Sequence, residues 1–209
     1  MNYWKSRRMM PALLLCVFLA AAGLASAGEP LRAGLAQATG NDPIDYRVLA
    51  TGKTSTMEKE LNEAAEAGFR FQAVMGGESA LGGKEVVTVM SRVAGEKNRF
   101  GYQLLATSRT STMQKELQEA ADAGYEYKGQ TVFETLVGGH EVVIILERNK
   151  DVEPTPVEYR LFATTRTSTL EKELLDAGKA GYQVLGMTVS KTALGGKELV
   201  AIARRKTVP

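Results

Sequence analysis

One cysteine and one histidine in 209 residues leave no intramolecular disulfide to form and no Cys/His cage for a metal. Charge of one sign is lacking too. With 26 Lys+Arg against 24 Asp+Glu, the formal charge of +2 excludes the strongly basic surface of a protein that neutralises many phosphates. No Gly-x-Ser-x-Gly elbow, phosphate loop, dinucleotide fingerprint or metal-binding His pair occurs in the chain. Apolar residues are not lacking. At 44% hydrophobic content, the chain can bury a core and is too apolar for a disordered polymer.

The longest apolar run, 9–24, is shorter than the ~20 residues a membrane-spanning helix needs, and it contains Pro11. Lys5, Arg7 and Arg8 precede it and Ala25-Ser26-Ala27 follows it. A basic start, a short apolar stretch and a small-residue cleavage pattern predict a cleavable secretory signal over 1–27, and hence a periplasmic or secreted mature protein. That segment carries three basic groups and no acidic one, so the mature chain has 23 basic against 24 acidic groups. Its only cysteine, Cys16, and its only tryptophan, Trp4, leave with the signal. A cysteine-free mature chain suits an oxidising compartment. Residues 28–44, rich in Gly, Ala and small polar residues, read as a flexible leader.

Beyond the leader the chain repeats itself. Residues 46–92, 102–148 and 159–205 align without a gap, and the first two agree at roughly half of their positions. Each copy opens with a strand-like run beginning at Tyr46, Tyr102 or Tyr159. A Thr-Ser-Thr triplet then leads into an amphipathic helix. Ser55, Ser111 and Ser168 stand three residues before Glu58, Gln114 and Glu171, the spacing of a capping box. Met57, Leu61, Ala64 and Ala65 recur at helical spacing and form one apolar stripe. Gly68, Gly124 and Gly181 stop the helices, each followed by an aromatic residue. A second strand, a Gly-Gly turn (82–83, 138–139, 195–196) and a third strand ending in Arg92, Arg148 or Arg205 complete the copy.

The expected fold is therefore α+β: three tandem βαββ repeats over 45–92, 100–148 and 158–205, with mainly antiparallel sheets. One helix covers one face of a three-stranded sheet, yet the third strand is apolar on both, with Val142, Ile144 and Leu146 on one side and Val143 and Ile145 on the other. Units this small have marginal cores alone. The expectation is that the sheets pack around a shared pseudo-threefold interior with helices outside, the alternative being three independent beads on linkers.

The run Glu60-Leu61-Asn62-Glu63 through Ala67-Gly68-Phe69, between a Tyr-containing strand and a strand ending in Arg92, resembles a small bacterial domain of unknown function. That domain pairs a Tyr-containing strand with a Glu-Leu-Asn helix, a Gly-aromatic step and a closing strand ending in Arg. The resemblance spans all three copies and implies the fold, with no catalytic residues. The copies depart from it in having Phe or Tyr, never Trp, after the glycine, and in replacing Asn62 by Gln118 and Leu175.

Candidate binding residues lie where each chain enters its helix: Lys53, Thr54, Ser55 and Thr56; Arg109, Thr110, Ser111 and Thr112; Arg166, Thr167, Ser168 and Thr169. A cation and three hydroxyls beside free backbone N–H groups could hold an anionic glycan or a phosphate; helix capping alone accounts for one hydroxyl. Glu60, Glu116, Glu173, Glu85, Glu141 and Glu198 recur once per copy and could serve acid/base chemistry if gathered in pairs. Surface solvation and pairing with neighbouring lysines are the plainer reading. His140 replaces Lys84 and Lys197 of the other copies, marking an exposed hairpin position. The residues favour an exported, non-enzymatic repeat protein that binds an envelope protein or an anionic ligand, needs no cofactor and engages no nucleic acid. The alternative is a hydrolase or lyase with carboxylates assembled between repeats.

Overall fold

The structure, a computed structural model, describes residues 43–78, 84–96, 98–107, 109–134, 140–191 and 197–207. The signal segment, almost all of the leader and the three Gly-Gly pairs lie outside the described residues. No helix among the described residues is long and apolar enough to cross a membrane.

The same element order recurs three times. The first unit comprises β1 (Ile44–Thr51), α1 (Thr54–Glu66), β2 (Arg70–Glu78) and β3 (Lys84–Val93). The second comprises β4 (Phe100–Thr107), α2 (Thr110–Asp122), β5 (Glu126–Glu134) and β6 (His140–Asn149). The third comprises β7 (Val157–Thr164), α3 (Thr167–Lys179), β8 (Gln183–Lys191) and β9 (Lys197–Lys206). Each unit forms its own three-stranded antiparallel sheet with the last strand in the middle, ordered β1-β3-β2, β4-β6-β5 and β7-β9-β8. The α+β class follows directly. Ile44, assigned to the leader by composition, is the first residue of β1.

The helix stops obey the glycine signal. Gly68, Gly124 and Gly181 have φ of 85°, 86° and 83°, a left-handed conformation that costs glycine nothing and other residues more. In the first unit Phe69 N donates to Ala64 O and Gly68 N to Ala65 O, the paired bonds of a Schellman turn. The closing arginine completes it. Arg92 Nη1 donates to Ala67 O at 3.0 Å, its guanidinium lies 4.7 Å from the Phe69 ring centroid, and Arg205 repeats both contacts with Ala180 and Tyr182. In the first and third units glycine, aromatic and arginine are thus one helix-closing device.

The helix starts differ from expectation. Each helix begins two residues earlier than a serine cap requires, the caps are Lys53, Arg109 and Arg166, and none makes a side-chain capping bond. The serines fall inside the first turn. Thr56 bridges the corner instead, its hydroxyl donating to Lys53 O at 2.9 Å and lying 2.8 Å from that of Thr51. Glu58 and Gln114 are consequently freed from any capping box.

The core lies between neighbouring units. One cluster joins the α1 stripe (Met57, Leu61, Ala64, Ala65), Val86 and Met90 of β3, and Val143 and Ile145 from the far face of β6. A second joins the α2 stripe, Val142, Ile144 and Leu146 of β6, and Val200 and Ile202 of β9. A third and smaller one, containing Leu170, Ala177, Ala201 and Ala203, is confined to the last unit. The two-faced apolar strand is explained by this layering: the helix-bearing face of one sheet receives the bare face of the next. Contacts between units join α1 with β4, β2 and β3 with β5, α2 with β7, and β5 and β6 with β8.

Candidate functional site

The predicted helix-entry residues occupy three separate places, one at the start of each helix, and are exposed or half-buried. Among the described residues no group of three or more His, Cys, Asp or Glu side chains could hold a metal ion. Built chemistry is found at the two junctions between units and at the two ends that lack a junction.

Each junction has the same parts. A β-bulge in the second strand, between Phe71 and Ala73 or between Tyr127 and Gly129, leaves one N–H of that strand directed at the next unit. Phe71 N donates to Tyr102 Oη at 2.8 Å, and Tyr127 N donates to Tyr159 Oη at 2.8 Å. Both accepting tyrosines are 2% exposed. Tyr102 Oη in turn donates to Glu147 Oε2 at 2.9 Å, and burial first, then the neighbouring carboxylate, pushes its pKa well above the ordinary phenol value.

Beside each tyrosine sits an ion pair. Arg70 reaches Glu147 through Nη2 at 2.9 Å and Nε at 3.2 Å, and Lys128 Nζ adds a contact at 3.1 Å. Glu147 is 3% exposed. Burial opposes its charge, but Arg70, Lys128 and Tyr102 together outweigh that cost and hold its pKa below the usual carboxylate range. At the next junction the equivalent residues are Glu126 and Arg204, 3.0 Å apart with the charges exchanged. A polar cleft of about 390 Å³ opens beside Glu147, lined by Arg70, Arg99, Lys128, Glu126 and Glu153 among others. Three bases face three acids there, so the cleft has no strong sign.

The third part is a bracket from helix to strand. Asn62 donates to Tyr102 O and accepts from Tyr102 N, both at 2.9 Å, and Glu58 Oε2 accepts from Leu104 N. At the second junction Gln118 bonds Val157 O and Tyr159 N, while Gln114 bonds Tyr159 O and Leu161 N. The edge strand of each following unit thus has its backbone satisfied by amides and carboxylates of the preceding helix, as buried polar backbone requires. Glu58 and Gln114, expected to complete capping boxes, hold units together instead. The ion pairs left a signal in the sequence: positions 70 and 147 reverse charge at 126 and 204, a reciprocal change between copies.

Among the described residues the first and third units each keep one half of this apparatus unused. On β1, Tyr46 is 66% exposed and Val48 63%, although their equivalents Tyr102 and Leu104 lie in a junction. At the other end a groove of about 660 Å³ runs between α3 and β8, lined by Leu170, Leu174, Leu175, Met187, Thr167, Glu171 and Gly178. The aromatic residues that recur once per copy are therefore divided: Tyr102, Tyr159, Phe69 and Tyr182 are buried, Tyr125 is partly buried and Tyr46 is exposed.

Compared with protein-family models, with curated proteins and with solved structures, the chain finds no match in any of the three.

Proposed function

We propose that the mature protein acts outside the cytoplasm as a non-enzymatic interaction module, and that its principal binding surfaces are the two ends of the array. The observation that carries this reading is the apolar groove between α3 and β8, where Leu175 is 60% and Met187 57% exposed. Contiguous apolar surface of this kind marks a site that another molecule covers, and terminal repeats without a partner ordinarily present a polar outer face.

The helix-entry loops at Lys53, Arg109 and Arg166 are secondary contacts for an anionic glycan or phosphate-bearing envelope component, weak singly and stronger through threefold repetition. The units are read as copies of the small bacterial domain they resemble. Their pseudo-threefold relation takes a restricted form: neighbours meet through equivalent residues, while the meeting of third with first that would complete it is left open within one chain.

A photo-crosslinking amino acid at Leu175 in the exported protein tests the reading in cells. Protein adducts that disappear when Met187→Lys is added are expected; an absence of adducts overturns it. For the loops, a Lys53, Arg109, Arg166 triple alanine variant is expected to lose retention on an anionic glycan matrix, and equal retention removes that part.

A further inference from the structure

We propose that copies of this chain associate head to tail, the open face of the first unit in one copy seating on the α3–β8 face of another. The two internal junctions supply the template, and every pairing in it can be carried forward by equivalent position. The proposal rests on reading the two ends as binding surfaces.

The first pairing is tyrosine with bulge. β8 has the same bulge as β2 and β5, between Val184 and Gly186, so Val184 occupies the place of Phe71 and Tyr127, whose N–H groups each meet a tyrosine hydroxyl of the next unit. Among the described residues no unit follows the third. Tyr46, the equivalent of Tyr102 and Tyr159, is the tyrosine without a preceding unit among the described residues, and it is exposed.

The second pairing is of bulk with space. A methyl group added to Gly129 would lie 3.1 Å from Phe71 Cζ, and one added to Gly186 would collide with Tyr127 Oη. Each ring therefore sits on a glycine of the following unit. At the ends the ring position holds the smaller Val184 and the glycine position holds Ala73, which carries the extra carbon that a smaller neighbour permits.

The third pairing is of charge. Arg70 meets Glu147 and Glu126 meets Arg204; the remaining two positions of the series are Gln183 and Ser91, both uncharged. A charge at one and not the other would have left an unpaired ion in a contact of this design. The fourth is of polarity. Gln130 Nε2 donates to Thr188 Oγ1 at 3.0 Å across the second junction, whereas the corresponding end residues are Met187 and Met75, both apolar and 57% and 62% exposed. In the bulk and charge series the two ends change together, as residues that meet must.

One part of the template is dropped. Leu175 replaces Asn62 and Gln118, so the backbone of Tyr46 receives no amide bracket. The contact between copies is thereby weaker than the internal junctions, which also have the benefit of a covalent link and the high effective concentration it confers. Association is then governed by protein concentration. Because the surfaces that meet are different, the contact is heterologous and leads to rings or to open chains, not to a closed isologous pair.

Sedimentation velocity on the mature chain tests this. Wild-type mass is expected to rise with concentration, while Tyr46→Asp, which blocks the head, and Met187→Lys, which blocks the tail, each remain monomeric with unchanged far-UV circular dichroism. Mixing the two variants is expected to give a doubled mass and nothing larger, since one intact tail meets one intact head. A monomeric wild type, assembly by either variant alone, or a mixture that stays monomeric overturns the proposal. A second pair guards against misfolding. Ser91→Lys with Gln183→Lys should abolish assembly, and Ser91→Lys with Gln183→Glu should restore it in a salt-sensitive form; equal mass for the two overturns the assigned register. A monomeric wild type that still crosslinks through Leu175 to another protein ends self-association and leaves the interaction module intact.

Discussion

Arg70 and Glu147 hold the first unit to the second at 2.9 Å, and the residues at the same positions one unit later, Glu126 and Arg204, hold the second to the third with the charges exchanged. Glu147 is nearly sealed from solvent, whereas Glu126 is half exposed. Breaking the first pair should therefore cost more than breaking the second. Arg70→Glu or Glu147→Arg alone is expected to destabilise by about 3 kcal/mol, because either leaves like charges in a buried place. The double exchange should recover only part of that loss, because Lys128 beside position 147 would then face a like charge, and a double-mutant cycle in chemical denaturation measures the coupling.

Acid should weaken the same junction. The folded-state pKa of Glu147 lies below its ordinary value, with Arg70, Lys128 and Tyr102 outweighing burial. The stabilisation is fully present above the unfolded carboxylate value of about 4.3 and is lost as pH falls through the lower folded value. The difference in Tm between wild type and Glu147→Gln should accordingly be large near neutral pH and shrink on acidification below the ordinary carboxylate range. A difference that stays constant would show that the carboxylate charge is not what stabilises the junction.

Three tyrosines at one repeat position should respond differently to the same change. Tyr102→Phe strands the Phe71 N–H and removes a hydrogen bond to Glu147, an expected loss of about 2 kcal/mol. Tyr46→Phe, at an exposed site, should stay within about 0.5 kcal/mol for the dilute protein. Urea unfolding of both variants checks the contrast.

One position in the first core should improve. Among the described residues the Thr88 hydroxyl is fully buried and finds no hydrogen-bond partner; the equivalent residues are Ile144 and Ala201. Thr88→Val keeps the shape and removes the unpaired group, for an expected gain of about 1 kcal/mol, readable as a rise in Tm.

Stability should also fall along the array. α1 and α2 each bury four residues, but α3 buries only Leu170 and Ala177, and its core cluster draws on one unit alone. Amide hydrogen exchange is expected to be faster in α3 than in α2 in dilute solution. Protection of α3 should increase at concentrations where copies associate.

Much of the fold was legible because it is governed by local conformational preference. The βαββ order, the helix stripes and the glycine stops at 68, 124 and 181 come from periodicity and from the one residue type that tolerates positive φ. The two-faced apolar strand was legible too, although which face met which unit was not. The serine and glutamate spacing misled, since Ser55 and Glu58 fit a capping box equally well in isolation. The competing partner for Glu58 is Leu104 N, 46 residues away, and no local rule reports it.

By itself the sequence determined three similar units with nearly the same internal chemistry. Only the tertiary structure decided that equivalent residues would lead different lives. Tyr102 and Tyr159 are covered by a preceding helix and strand, and among the described residues Tyr46 has none before it. Burial depends on what neighbours a residue, not on the residue, and in a linear array the first and last units each lack one neighbour.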